Sequence, residues 1–510
     1  MSQSAVHLRP FPRAALGLAA VALALHLLPR PGYGFHRDEL LYLAMADHLD
    51  FFRMQFPPLI AVLGRVARLL PLNLLGAVHL LSGLAGAAIL LVGVAIARRV
   101  GAGAEGELIT GVALLVAPLL LRGAALFQPV IFEMLWWSIG TLAFAALLAG
   151  GDRRWWLAMG VMAGLGGLTK FSAAIFGGAM GVGVLLSPLR GDFRTRWPWL
   201  AVLVGGAIAL PSILGQIHWH WPFLAQARIL RATQLARVTP GAFLGGQLLM
   251  AGIATPLLLM GCAGLLRSGA LEPFRGLGVM ALVALLALLW LRGKEYYYGP
   301  MHPLLLAAGG ALAGEALRRR RVLYAGVIGM LIAGGLALIP IGIPLLPPAV
   351  MARYGEAIGV TRALTTNRGT VLPLPQDYAD MLGWREQVAA VAEVYRALPD
   401  TERARTTIVA GNYGRAGALA VYRREFGLPY PVSRAGDFYN WGPGPADPAV
   451  VIIVGGTVEE LGRIFGSVVE ARRIGTPLGV EEEQEVRIHV CRNPRQPLDE
   501  LWRSLGPDWG

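Results

Sequence analysis

Apolar runs recur from about residue 14 to residue 347 of this 510-residue chain, and they restrict its fold more than any motif does. Hydrocarbon offers the backbone no hydrogen-bond partners, so runs of roughly 20 apolar residues satisfy themselves as helices. Hydrophobic residues make up 55% of the sequence and charged residues 15%, a balance that excludes an ordinary soluble protein. Eleven segments stand out, near residues 12–29, 73–97, 107–126, 129–150, 155–169, 171–188, 197–216, 241–266, 276–292, 299–317 and 322–346. Beyond them charged residues become frequent, apolar runs shrink to strand length, and Asn, Asp and Pro turn signals set in. The expected architecture is an α-helical polytopic membrane domain over residues 1–347, with about eleven transmembrane helices and a long first outer loop, residues 30–72. A soluble α/β domain follows over residues 348–510.

The formal charge of +13 resembles that of a nucleic-acid protein. The arginines, however, cluster in short loops between spans, and no basic stretch carries the interleaved aromatics of a nucleic-acid surface. With the N-terminus inside, alternation puts Arg98-Arg99, Arg153-Arg154, Arg190 with Arg194 and Arg196, Arg267 with Arg275, and Arg318 to Arg321 on the inner side. That is the positive-inside bias. Arg9 and Arg13 precede the first apolar segment, which is read as a retained helix because so many spans follow it. The same alternation places the C-terminal domain outside. Two cysteines, Cys262 and Cys491, cannot build a disulfide framework.

The first outer loop is unusual in its charges. It holds the adjacent carboxylates Asp38 and Glu39, with Arg37 beside them, and ionisable groups near hydrocarbon survive best facing water, a partner or a substrate. Leu41, Tyr42, Met45, Leu49 and Phe52 follow at helical spacing, and Leu59 to Leu70 forms a second amphipathic stretch. Both are expected to lie on the interface as short helices. Glu133 falls in the first turn of the fourth span, where it either complements the helix dipole or belongs to a site. The chain's only lysines, Lys170 and Lys294, fall at outer ends of spans. Each is either a snorkelling residue or a compact cation for a phosphate. Arg228 lies on a short outer helix and faces either solvent or a lipid phosphate. His218 and His220 are read as interfacial residues among tryptophans rather than metal ligands.

The segments Phe35-His36-Arg37-Asp38-Glu39-Leu40-Leu41-Tyr42, Pro57-Pro58-Leu59, Phe132-Glu133-Met134-Leu135-Trp136-Trp137, Leu168-Thr169-Lys170-Phe171-Ser172 and Tyr296-Tyr297-Tyr298-Gly299-Pro300-Met301-His302-Pro303 come in an order that resembles bacterial family 39 glycosyltransferases. These belong to the protein mannosyltransferase and aminoarabinose transferase superfamily, which has the GT-C fold. Leu374-Pro375-Gln376-Asp377-Tyr378-Ala379-Asp380-Met381 and Gly411-Asn412-Tyr413-Gly414 carry the likeness into the tail. The resemblance implies transfer of a sugar from a polyprenyl-phosphate donor to a glycan, lipid or protein acceptor at the outer face of the bacterial inner membrane. It implies no certain cofactor and leaves room for a divalent cation. Asp38 is the expected base, with Glu39 as second candidate or orienting neighbour. Arg37, Lys170, Lys294 and Arg228 are the expected phosphate ligands, while His36, Tyr42, Glu133, Tyr296 and Tyr297 are expected to line the substrates.

Adjacent carboxylates on one backbone are poorly arranged for a retaining mechanism, which needs two carboxyls about 5 Å apart across the sugar. A single inverting displacement is therefore expected. The rival readings are a transporter, which predicts mid-span charges and internal repeats, and a relative that binds polyprenyl lipid without catalysis. In the tail, strands are expected at Thr406–Ala410, Val450–Val454 and Glu485–Val490, with helices near Trp384–Leu398, Ala416–Phe426 and Val458–Phe465. Gly411 to Gly417 lacks the spacing of a nucleotide loop and is read as an ordinary strand–turn–helix connection.

Overall fold

The computed structural model describes residues 12–359, 366, 369–445 and 447–508; Arg9 lies outside them. The chain opens with α1 (Arg13–Leu27), followed by two short helices, α2 (Arg37–Asp47) and α3 (Leu59–Leu69), in the first loop. Then come α4 (Leu74–Arg99), α5 (Ala104–Val116), α6 (Pro118–Ala124), α7 (Pro129–Leu148), α8 (Trp155–Thr169) and α9 (Ala173–Leu185). The set continues with α10 (Arg196–His218), α11 (Pro222–Thr233), α12 (Pro240–Ala251), α13 (Thr255–Arg267), α14 (Arg275–Trp290), α15 (His302–Leu317), α16 (Arg321–Gly342) and α17 (Pro348–Ala357).

Every apolar segment marked in the sequence coincides with a helix or a broken helix. Among the described residues, six helical stretches are long and apolar enough to cross a bilayer, and up to eight if each bent pair is one span. The remainder are shorter or broken. Pro118 cannot donate to the ladder, and α5 and α6 meet there at 57°. A second bend of 96° separates α9 from the 3₁₀ turn Pro188–Arg194. Lys170 adopts an extended backbone and ends α8, which separates it from α9.

Small residues let the helices close. A Cβ on Gly160 would stand 2.3 Å from the Ala201 carbonyl oxygen, and one on Gly205 would stand 2.7 Å from that of Gly160. Helices α8 and α10 therefore meet backbone to backbone, as small residues permit in membranes. On the outside, α10 and α16 expose Val202, Leu203, Val322 and Leu336. In water that surface would be costly; against lipid chains it is the expected partner.

The C-terminal segment carries α18 (Gln376–Ala379), α19 (Trp384–Arg396), α20 (Asp400–Arg403), α21 (Tyr413–Phe426), α22 (Val458–Gly462) and α23 (Leu498–Leu505). Its strands are β1 (Thr406–Ala410), β2 (Val450–Val454), β3 (Phe465–Ile474) and β4 (Val486–Pro494), in sheet order β1-β2-β4-β3. The β1–β2 pair is parallel and the other two pairs are antiparallel. Strand β3 has no counterpart among the expected strands. Its residues alternate only weakly between buried and exposed faces, and the expected helix stops at Gly462.

The apolar core runs without a break from the membrane helices through α2 into α19, α21 and the sheet. Helix α2 therefore does not lie open on an interface: Leu40, Leu43, Ala44, Met45 and Ala46 are all enclosed. It is packed between α3 and α21.

Candidate active site

His36 precedes α2 and caps it. Its Nδ1 accepts from the Asp38 N–H at 3.1 Å, while the Glu39 carboxylate accepts from the His36 N–H at 2.9 Å. This reciprocal capping box fixes the carboxylate pair and separates its members, because neighbours on a helix point about 100° apart.

Glu39 turns inward and is fully enclosed. Besides the cap, its Oε1 accepts from the Phe127 N–H at 2.7 Å and faces His79 Nε2 at 3.4 Å. Burial opposes ionisation, but His79 and the two backbone donors outweigh it and hold the carboxyl below its ordinary value. Asp38 turns toward the C-terminal segment and the start of α7. The Tyr413 hydroxyl donates to Asp38 Oδ1 at 3.0 Å, and the Gln128 amide donates to Oδ2 at 3.0 Å. Burial, and then the charge of Asp38, push the Tyr413 phenol well above its ordinary value, so it stays a proton donor.

Arg37 is committed elsewhere. Its Nε lies 2.6 Å from Asp380 Oδ1 and its Nη2 lies 2.6 Å from Glu482 Oε1. The guanidinium also sits 5.8 Å from the Tyr413 ring and 6.0 Å from the Trp384 ring. Asp377 pairs with Arg122, and His36 Nε2 stands 3.9 Å from Asp377 and 3.8 Å from Asp380. Burial opposes the Asp377 charge, yet Arg122, His36 and Lys294 hold its carboxyl below the ordinary value. Asp380 goes the other way: burial pushes it up to about 6 despite Arg37 and His36.

A second cluster adjoins the first. Glu133 accepts from the Ser172 hydroxyl at 2.5 Å, and its Oε2 lies 3.6 Å from Lys170 Nζ. The ammonium rests 4.1 Å from the Tyr297 ring centroid and 5.1 Å from that of Tyr296, within cation–π range. Tyr42 and Tyr296 link the clusters: burial and then nearby charge and phenol groups, Asp38 among them, push both phenols well above their ordinary value.

The structure thus brings together His36, Arg37, Asp38, Glu39, Tyr42, Glu133, Lys170, Lys294, Tyr296 and Tyr297. Arg228 is exposed on α11 and takes part in none of these contacts. Gln128, Tyr413, Arg122, Ser172 and Glu482 join the group without having been singled out in the sequence. Tyr413 and Ser172 lay inside segments quoted for the family likeness, and neither residue type signals its partner. Among the described residues, no group of three or more His, Cys, Asp or Glu is placed to hold a metal ion.

The arginine-rich ends lie far from this cluster. Helix α4 begins beside it, since His79 faces Glu39, and ends at Arg98-Arg99. From His79 to Arg98 the helix advances about 28 Å at roughly 1.5 Å per residue. Helix α8 runs the opposite way, from just after Arg154 to Lys170.

Residues 55–214 match the family model described as dolichyl-phosphate-mannose-protein mannosyltransferase. No curated protein matches the sequence. Among solved structures, ArnT from Cupriavidus metallidurans bound to undecaprenyl phosphate is similar with a TM-score of 0.60 and 16% identity, covering 93% of this chain and 97% of that one. Its apo structure gives 0.60 and 18% over the same shares. The arabinofuranosyltransferase AftD from Mycobacteria gives 0.50 and 16%, covering 94% of this chain and 40% of that one. On these findings the chain is a multi-pass membrane protein of the GT-C fold, and its residues 55–214 match a protein-mannosyltransferase family model.

Proposed function

We propose that the protein transfers a glycosyl group from a polyprenyl-phosphate-linked sugar to an acceptor hydroxyl at the extracytoplasmic face of the bacterial inner membrane. The reading rests on one observation above all. A partly exposed carboxylate, Asp38, has both oxygens held by donors and stands beside a lysine and tyrosine cluster at one end of the helices. The GT-C fold, the mannosyltransferase segment and the undecaprenyl phosphate bound to the similar ArnT structure supply the reaction class.

Glycosyl transfer from a lipid phosphate needs a base for the attacking hydroxyl, cations for the departing phosphate, and exclusion of water. Asp38 takes the hydroxyl proton in a single inverting displacement. Lys170 and Lys294 meet the phosphate as compact charges. Arg37, clamped by two carboxylates, and Glu39, with both oxygens engaged, hold the site together instead. Tyr42, Tyr296 and Tyr297 line the sugar. The candidate site residues gather at one face, whereas a transporter predicts charges near mid-span; measured transfer separates this reading from a non-catalytic lipid binder.

The assay uses membranes supplied with radiolabelled polyprenyl-phosphate sugars, comparing wild type with Asp38→Asn. General-base action contributes roughly 10²–10⁴-fold, so the variant should express, fold and lose transfer by that factor. Wild-type transfer by Asp38→Asn would end this assignment.

A further inference from the structure

We infer that Tyr413, with Gln128 opposite, is a positioning residue that orients the Asp38 carboxylate, so that the C-terminal segment completes the catalytic site of the membrane helices. The inference rests on the reading of Asp38 as base, and three observations carry it.

The first is the pair of hydrogen bonds. Tyr413 donates to Oδ1 and Gln128 to Oδ2, each at 3.0 Å, one from above α2 and one from the start of α7. A carboxylate held at both oxygens by groups from two separate elements has one orientation. The remaining lone pairs are left for an incoming proton.

The second is how Tyr413 is itself held. It is the first residue of α21, whose cap Asn412 accepts from the Arg415 N–H at 2.8 Å. Asn412 also donates to Glu483 at 2.9 Å, and the Arg415 guanidinium donates to the same carboxylate at 3.0 Å. The Arg37 guanidinium lies by its ring.

The third is the crossing of α21 over α2. A Cβ on Gly417 would stand 2.7 Å from the Leu40 carbonyl carbon, and one on Gly414 would stand 2.8 Å from the Trp384 ring and 3.3 Å from Arg37 Cβ. Only at that separation does a phenol on α21 reach a carboxylate on α2. The two glycines and the tyrosine in Tyr413-Gly414-Arg415-Ala416-Gly417 act as one device.

The test is Tyr413→Phe in the full-length protein, which removes one oxygen and no packing. Tyr430→Phe is the control, because that phenol bridges the same two segments through His48 Nδ1 at 3.2 Å, away from Asp38. Misplacement of a reacting group costs up to about a hundredfold. Tyr413→Phe should therefore lower kcat about ten- to a hundredfold at unchanged donor KM. It should also move the acid limb of the rate profile to higher pH, while Tyr430→Phe does neither. Wild-type kcat and profile in Tyr413→Phe would overturn the inference while leaving Asp38 as base. Equal losses in both variants would overturn it too, since the effect would then be a loosened interface. Full activity in Asp38→Asn would remove the base and this inference together.

Discussion

Arg37 Nε stands 2.6 Å from Asp380 Oδ1, and the same guanidinium reaches Glu482 at 2.6 Å, so the residue next to Asp38 is a clamp onto the C-terminal segment. Burial lowers the arginine's affinity for its proton, but Asp380, Tyr413, Glu482 and Glu483 more than restore it. Removing one partner of a buried pair leaves the other uncompensated and costs about 3–5 kcal/mol. Arg37→Ala should therefore lower the thermal midpoint of the detergent-solubilised protein clearly. The double variant with Asp380→Asn should recover part of the loss. An unchanged midpoint in Arg37→Ala would show that the pair is not a clamp.

Glu39 invites a different substitution. Its Oε2 accepts from His36 and its Oε1 from Phe127, both backbone N–H groups. Glutamine keeps the shape but turns one acceptor into a donor facing a donor, and an unsatisfied buried group costs about 1–3 kcal/mol. Glu39→Gln is expected to melt earlier and to keep near-normal turnover per folded molecule. Loss of turnover at wild-type stability would give Glu39 a chemical role instead.

These two residues show where the sequence was legible and where it was not. That Asp38 and Glu39 form a costly pair in an outer loop follows from their neighbourhood. Their division does not, because it depends on which side of α2 faces Phe127 and which faces Tyr413, 375 positions away. The expected helix at Trp384 was legible because its apolar spacing is regular, and the spans because hydrocarbon leaves the backbone no alternative. Arg37 was expected to hold a phosphate since nothing local announces Asp380 or Glu482. The expected interfacial helix at Asp38 was buried by α21, a contact no local pattern encodes.

Lys170 rests between Glu133 and the faces of Tyr296 and Tyr297. An ammonium fits that space as a point charge, whereas a guanidinium is planar and needs room for its fork. Lys170→Arg should keep the net charge yet raise the donor KM at least tenfold, with Lys170→Ala no worse than a further few-fold. Saturation curves with the lipid-linked donor decide it. A wild-type KM in the arginine variant would mean that charge alone suffices and that the tyrosine cage is incidental.

Asp437 supplies the pH dependence. It lies in the 3₁₀ turn Gly436–Trp441, is enclosed, and has no hydrogen-bond partner at either carboxylate oxygen among the described residues. Burial pushes its carboxyl up to about 7. The folded value lies above the unfolded one, so the native state binds the proton more tightly. The contribution is full below about pH 4, falls as pH rises toward 7, and is a fixed cost beyond. A tenfold change in proton affinity corresponds to about 1.4 kcal/mol, which puts a ceiling of about 4 kcal/mol on the whole window. Asp437→Asn removes the titration while keeping the volume. Its thermal midpoint should exceed that of the wild type at pH 8, and the difference should shrink as the pH is lowered toward 5. Parallel midpoint curves for the two proteins across that range would show that this carboxyl does not titrate on unfolding.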